Sequence, residues 1–245
     1  MADIHGSDEQ EELRRLLGSA RCVLFDFDGP VCRLFAGQTS GEIAGRLREW
    51  MTAQGYEKEL GQVADAFTDA YAVLRRLVAL TVDPAVVSAV EKYLTQEELA
   101  ATDSAWPTRH ADALIQTLRA TDRKIAIATN NAPEPVVQYL RTRKLTDAFG
   151  PHIHGRRHDA RRLKPDPDCL ERALASTGEP PAAAVMIGDS WVDLEAARAL
   201  GVPFIGFATR PEKGTLLRER GATIVLDDLK PLLAAARTLR PLLRY

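Results

Sequence analysis

Apolar residues recur along this chain with two different periods, and the places where the period changes divide it. Residues 21–27 form a nearly continuous apolar run with Asp26 near its end and Asp28 just beyond it, the pattern of a central strand buried on both faces. Before it, residues 8–18 predict a short charged helix with Leu13, Leu16 and Leu17 on one side and Gly18 as its stop. From about residue 33 to residue 103 the apolar positions fall three and four apart, without a convincing strand. Within that block Val63, Ala66, Phe67, Ala70, Tyr71, Val73, Leu74, Leu77 and Val78 predict one apolar face of a long helix. Residues 39–42 and 95–98 both carry the capping-box spacing and predict two helix starts, and Asp83-Pro84 predicts a third.

After Trp106-Pro107 short apolar runs and helical stretches alternate. Strands are expected at 124–128, 152–153, 184–187, 203–207 and 223–226, with helices at 110–120, from Pro133 onward, at 168–177 and at 191–200, the last stopped by Gly201. Alternation of this kind predicts an α/β fold, a doubly wound, mainly parallel, Rossmann-like sheet covered on both faces. The predicted division is an α/β core of residues 1–32 and 104–245, with an inserted all-helical segment at 33–103. Ligands of such sheets bind at the carboxyl ends of the strands, beside the switch in strand order. Asp26, Asp28, Thr129 and Asp189 all fall where an expected strand gives way to a loop.

Composition narrows the function classes. A formal net charge of -2 over 245 residues supplies no global basic field, which argues against nucleic acid as a sequence-independent partner. Three widely spaced cysteines, Cys22, Cys32 and Cys169, with no CxxC pair, indicate neither a disulfide framework nor a zinc site, and a reducing cytoplasm is the expected compartment. The acidic, polar first residues do not read as a signal or transit peptide, and no apolar run is long enough to predict a membrane partner.

Side chains two apart on a strand share a face, so Asp26 and Asp28 would present two negative charges to one small volume. A hard cation such as Mg²⁺ would relieve their repulsion; a polar turn closing the strand would account for the same residues. Thr129 has a hydroxyl suited to a phosphoryl oxygen and equally to a helix cap. Lys164, fixed before Pro165, could neutralise a carboxylate and a bound phosphate. Asp189 could join the acidic pair as an oxygen ligand, whereas Ser190 with Asp193 three residues later is itself a capping-box spacing. Gly-x-Ser-x-Gly, His-Glu-x-x-His and the Gly-x-x-x-x-Gly-Lys phosphate loop are absent, which leaves a carboxylate as the coherent nucleophile.

Asp26-Phe27-Asp28-Gly29, Thr129, Lys164-Pro165 and Gly188-Asp189 with Asp193 resemble, in order, the four sequence motifs of the haloacid dehalogenase (HAD) superfamily. The likeness extends over residues 21–226, and the helical block resembles that family's type 1 cap in its phosphoglycolate phosphatase-like branch. The resemblance implies Asp26 as nucleophile and Mg²⁺ ligand, with Asp28 as acid and base whose backbone carbonyl also ligates the metal. It implies Thr129, with Asn130 beside it, as phosphoryl-binding, and Lys164 as the group that stabilises charge on Asp26 and phosphate. Asp189 would complete the metal site and Asp193 would orient the cluster or Lys164. Dehalogenases of the family lack the second aspartate, so Asp28 favours phosphoryl transfer. Pro30 departs from the Thr or Val usual at its position and removes a backbone N–H.

The expected protein is therefore a Mg²⁺-dependent phosphatase of a small phosphate ester, monomeric or a small homo-oligomer. A phosphomutase and a non-catalytic phospho-ligand-binding module are the alternatives. Residues 152–162, rich in His and Arg, read either as a basic rim that draws an anionic substrate toward Lys164 or as a solvated loop, and Arg46, Arg48, Arg75 and Arg76 are further candidates for that role.

Overall fold

The computed structural model describes residues 3–67, 69–157 and 160–242. Six strands form one sheet in the order β5-β4-β1-β6-β7-β8, every neighbouring pair parallel. They are β1 (Cys22–Phe25), β4 (Lys124–Ala128), β5 (Ile153–His154), β6 (Ala184–Gly188), β7 (Phe204–Phe207) and β8 (Val225–Leu226). The chain runs from β1 out to β4 and β5 on one side, then returns across β1 to β6, β7 and β8, so strand order reverses at β1. That reversal opens the crevice at the carboxyl ends of β1, β4 and β6.

Alternation along the strands produces two apolar layers. Val23, Phe25, Ile125, Ile127, Val185 and Ile187 pack on one face with α1 (Asp3–Ser19), α6 (Ala111–Ala120) and α12 (Lys230–Ala236). Cys22, Leu24, Ala126, Ala128, Ala184 and Met186 pack on the other with α9 (Asp168–Thr177) and α10 (Trp191–Leu200). The first helix starts earlier than the sequence suggests, and Gly18 is its penultimate residue rather than its stop.

Between the first and later strands lie α2 (Ser40–Ala53), α3 (Glu57–Gln62), α4 (Ala70–Ala79) and α5 (Pro84–Ala101), packed around their own cluster of Leu47, Met51, Val73, Leu74, Leu77 and Val90. A two-stranded antiparallel ribbon, β2 (Cys32–Arg33) with β3 (Trp106–Pro107), joins the two ends of this block where no strand was expected.

Two expectations here are corrected. The apolar stretch from Val63 to Val78 is not one helix: a 3₁₀ turn at Ala64–Ala66 precedes α4, whose start is set by Asp69 accepting from the N–H groups of Tyr71 and Ala72. A cap of that kind stabilises by about 1 kcal/mol and outweighs periodicity. Residues 95–98 start no helix, because they lie inside α5, where the Thr95 hydroxyl donates back to the Glu91 carbonyl and Glu98 is buried against α7 (Pro133–Thr142). The capping box at Thr39 and Glu42 is formed, and Asp83 with Pro84 opens α5.

Candidate functional site

The carboxyl ends of β1, β4 and β6 and the loop before α9 bring Asp26, Asp28, Thr129, Lys164, Asp189 and Asp193 to the wall of one cavity of about 1090 Å³. Lys164 is its electrostatic centre. Its ammonium, 1% exposed, lies 3.0 Å from Asp26 Oδ1 and 2.5 Å from Asp193 Oδ1 and donates to the Ala128 carbonyl at 2.9 Å. Burial works against that charge, but Asp193 and then Asp26 outweigh it and hold the lysine protonated.

Asp193 performs two tasks at once. Oδ1 fixes Lys164, while Oδ2 accepts from the N–H groups of Asp189 and Ser190 and from the Ser190 hydroxyl, so the capping box that starts α10 and the anchor of the lysine are the same side chain. Gly188 makes room for it: a Cβ there would fall 2.5 Å from Asp193 Cβ. Gly29, at φ 121°, is confined in the same way, since a Cβ would sit 2.7 Å from Asp189 Cγ. The loop carrying Asp28 and the loop carrying Asp189 thus touch backbone against carboxylate.

Three carboxyls are pushed above their ordinary range. Burial is the main cause for Asp26, reinforced by Asp193 and opposed by Lys164. Burial raises Asp28 to about 6, opposed by the Leu34 N–H that donates to Oδ1 at 2.9 Å. Burial also raises Asp189 to about 6, opposed by Lys213, whose Nζ lies 2.5 Å from Oδ2. Acids crowded in this way favour a bound cation. Among the described residues Asp26, Asp189 and Asp193 each offer an oxygen within 4.8 Å of the others, an all-oxygen donor set of the type hard divalent ions take. Since both oxygens of Asp193 are already engaged, Asp26 and Asp189 are the side chains best placed to serve as ligands.

Thr129 is 1% exposed at the end of β4, its hydroxyl 2.9 Å from the side-chain oxygen of Asn131. The Asn130 side chain faces the loop of Lys164: Oδ1 accepts from the Lys164 N–H at 2.8 Å and Nδ2 lies 3.4 Å from the Lys164 carbonyl. It braces the lysine's backbone, a use its position beside Thr129 does not disclose.

The described residues of the basic stretch before Lys164 do not form the rim suggested for it. Arg156 is buried between Glu98 and Glu91, and His152 and His154 share hydrogen bonds with Ser176. Burial lowers His154 to about 4, so it is neutral at physiological pH. None of the described residues 152–157 and 160–162 lines the cavity, and His158 and Asp159 lie outside the described residues. Positive charge on the cavity wall comes instead from Arg33, Arg75, Arg109, Arg210 and Lys213. Of these only Arg75 was singled out by the sequence; Arg46 pairs with Glu97, and Arg48 lies over the Phe67 ring. Tyr71, Asn131 and Trp106 also reach the wall, and no local motif marks any of them.

A sequence model of the haloacid dehalogenase-like hydrolases matches residues 20–201. A phosphoglycolate phosphatase of Pseudomonas aeruginosa is 27% identical over 224 residues, 88% of this chain and 79% of that protein. A second Pseudomonas relative of that name, from Pseudomonas fluorescens, is 36% identical over 70 residues, and there the match spans only 26% of the relative's length. In fold, the chain is similar to CbbY from Rhodobacter sphaeroides in complex with phosphate, with a TM-score of 0.63 and 22% identity over 89% of this chain and 99% of that one.

Proposed function

This chain belongs to the haloacid dehalogenase-like hydrolases, and from that premise we propose that it is a Mg²⁺-dependent phosphatase of small phosphate esters acting through an aspartyl phosphate. The observation that carries the reading is the buried bridge of Lys164 between Asp26 and Asp193, with Asp28 two residues along the same strand end and Thr129 on the neighbouring strand. A carboxylate attacks a phosphate dianion only where fixed positive charge offsets their repulsion.

In this reading the Phe27 N–H and Lys164 both engage Asp26 Oδ1, which leaves Oδ2 to attack phosphorus while the ester oxygen departs. Asp28, with a carboxyl raised toward neutrality, protonates the leaving alcohol and then takes a proton from the water that cleaves the acyl phosphate. Thr129 and Lys164 hold the transferred group. A bound Mg²⁺, held by Asp26, Asp189 and the Asp28 carbonyl, would supply charge neutralisation at the phosphoryl oxygens. The helical block would serve as a cap over the site, closing against bulk water and opening for product. Arg33, Arg75, Arg109 and Arg210 on the cavity wall suit a substrate with a second anionic group, and phosphoglycolate, named for the Pseudomonas relatives, is the first ester to try. Three free, buried cysteines agree with a reducing cytoplasm, and no helix of the described residues is long and apolar enough to cross a membrane.

The test is release of inorganic phosphate from phosphoglycolate, sugar phosphates and nucleoside monophosphates, with and without Mg²⁺, by the wild type and by Asp26→Asn. Mg²⁺-dependent release lost in the variant is expected. Phosphate retained on a second hydroxyl, seen by ³¹P NMR, would replace the phosphatase with a mutase, and no turnover of any ester would overturn both.

A further inference from the structure

A chain of buried and partly buried hydrogen bonds runs from the helical block to Thr129, and the chemistry of its members fixes the direction of every bond. Glu98 on α5, paired with Arg156 at 2.9 Å, can only accept. Its Oε2 takes the Ala132 N–H at 2.9 Å, and its Oε1 takes the Tyr71 hydroxyl at 2.6 Å. Tyr71 on α4 has one proton and spends it there, so its oxygen must accept from Asn131 Nδ2, 2.7 Å away. With Nδ2 committed to Tyr71, Asn131 Oδ1 is turned to Thr129 Oγ1 at 2.9 Å, and the Asn131 N–H donates to that same oxygen at 3.2 Å. Thr129 therefore gives its only proton to Asn131.

A phosphoryl oxygen carries no proton and needs that one. Once Thr129 turns its hydroxyl to phosphate, Oγ1 and Asn131 Oδ1 are left with lone pairs facing each other at hydrogen-bond distance. The contact is relieved when the Asn131 amide flips and offers Nδ2 to Thr129, which takes Nδ2 away from Tyr71. We propose that Tyr71 and Asn131 are positioning residues that set the Thr129 hydroxyl, and that the bond donated by Asn131 Nδ2 to Tyr71 and a phosphoryl group at Thr129 exclude one another. The proposal rests on Thr129 as the phosphoryl-binding residue. Coupling of this kind is reciprocal, so phosphate at Thr129 loosens one tie between the helical block and the core, and that tie weakens phosphate binding.

The experiment is a double-mutant cycle read by calorimetric titration with inorganic phosphate in the presence of Mg²⁺, on wild type, Tyr71→Phe, Thr129→Val and the double variant. Tyr71→Phe leaves Glu98 its Arg156 and Ala132 donors, so the fold is kept. It is expected to bind phosphate about fivefold more tightly, the equivalent of one ordinary hydrogen bond no longer broken on binding. Thr129→Val is expected to weaken binding and to abolish the effect of Tyr71→Phe. An unchanged or weaker affinity in Tyr71→Phe, or an equal gain in both backgrounds, overturns the proposal while leaving Thr129 in place. Wild-type protein that binds no phosphate, or binding indifferent to Thr129→Val, overturns the Thr129 assignment and the proposal together.

Discussion

Among the described residues, two buried cations each lie between two carboxylates: Lys164 between Asp26 and Asp193, and Arg156 between Glu98 and Glu91. Around Lys164 the acids are in excess. Asp28 and Asp189 line the same cavity wall, and burial with mutual repulsion holds Asp26, Asp28 and Asp189 above the usual carboxylate range. Around Arg156 donors and acceptors are matched. Its planar fork reaches Glu98, Glu91, the Thr95 hydroxyl and the Asn130 carbonyl, and although burial works against the charge, Glu98 and Tyr71 raise its pKa further. A cluster short of cations is poised to take up a metal and an electrophile, whereas a matched one fastens two pieces of chain together.

Removing one partner from each cluster should separate the two most strongly. Asp26→Asn removes the nucleophile, and phosphate release should fall by on the order of 10⁴-fold or more, in line with losses seen on removing a covalent nucleophile. Its far-UV spectrum and melting curve should stay close to wild type, and residual turnover above a hundredth would reject Asp26 as nucleophile. Arg156→Met should act in reverse. It leaves Glu98 buried without a counter-charge, a change that costs about 3–5 kcal/mol, read as a lower denaturant midpoint. Unchanged stability would show that the second cluster holds nothing together.

These two clusters were unequally legible in the sequence. Asp26, Asp28, Thr129 and Asp189 could be read because each follows an apolar strand directly, and strand ends of a parallel sheet converge. The parallel sheet followed from the same alternation. Arg156 and Glu98 could not, because their meaning lies in each other: they stand 58 residues apart and meet only once α5 packs against α7. Read locally, Glu98 completed a false capping box and Arg156 joined a basic surface run. Lys213 was missed for a similar reason, since only the fold of α11 (Pro211–Glu219) brings it to Asp189. Asn131 escaped because its amide serves Thr129 on one side and Tyr71, 60 residues away, on the other.

Metal binding sharpens the contrast at intermediate size. If the acids around Lys164 form the ion site, saturating Mg²⁺ at about 100 times its dissociation constant should stabilise the fold by about 2.7 kcal/mol. The shift should appear in thermal melts of wild type and be lost in Asp189→Asn. Equal stabilisation of both would move the ion elsewhere.

The smallest effect tests whether the first cluster is strained at neutral pH. The Asp28 carboxyl is raised to about 6 in the folded, metal-free protein, from about 3.9 in an unfolded chain. With the folded value above the unfolded one, the native state holds the proton more tightly. Its contribution is fully present below about pH 4 and is lost as pH rises through about 6. At about pH 7.5 the ionised side chain is therefore a burden on the fold. Asp28→Asn keeps an Oδ1 for the Leu34 N–H and removes the charge. Because Asp28 is only half-buried, the full linkage value is discounted, and the variant should gain about 1 kcal/mol at about pH 7.5, or 2–4 °C in melting temperature for a chain of this size. Below about pH 4, where the carboxyl is protonated in the unfolded chain as well, the gain should vanish. The matched cluster predicts the opposite sign, since Glu98→Gln at the higher pH strips Arg156 of its closest counter-charge and should lower the melting temperature. A gain in Asp28→Asn that is no larger at the higher pH, or a gain in Glu98→Gln, would erase the distinction between the two clusters.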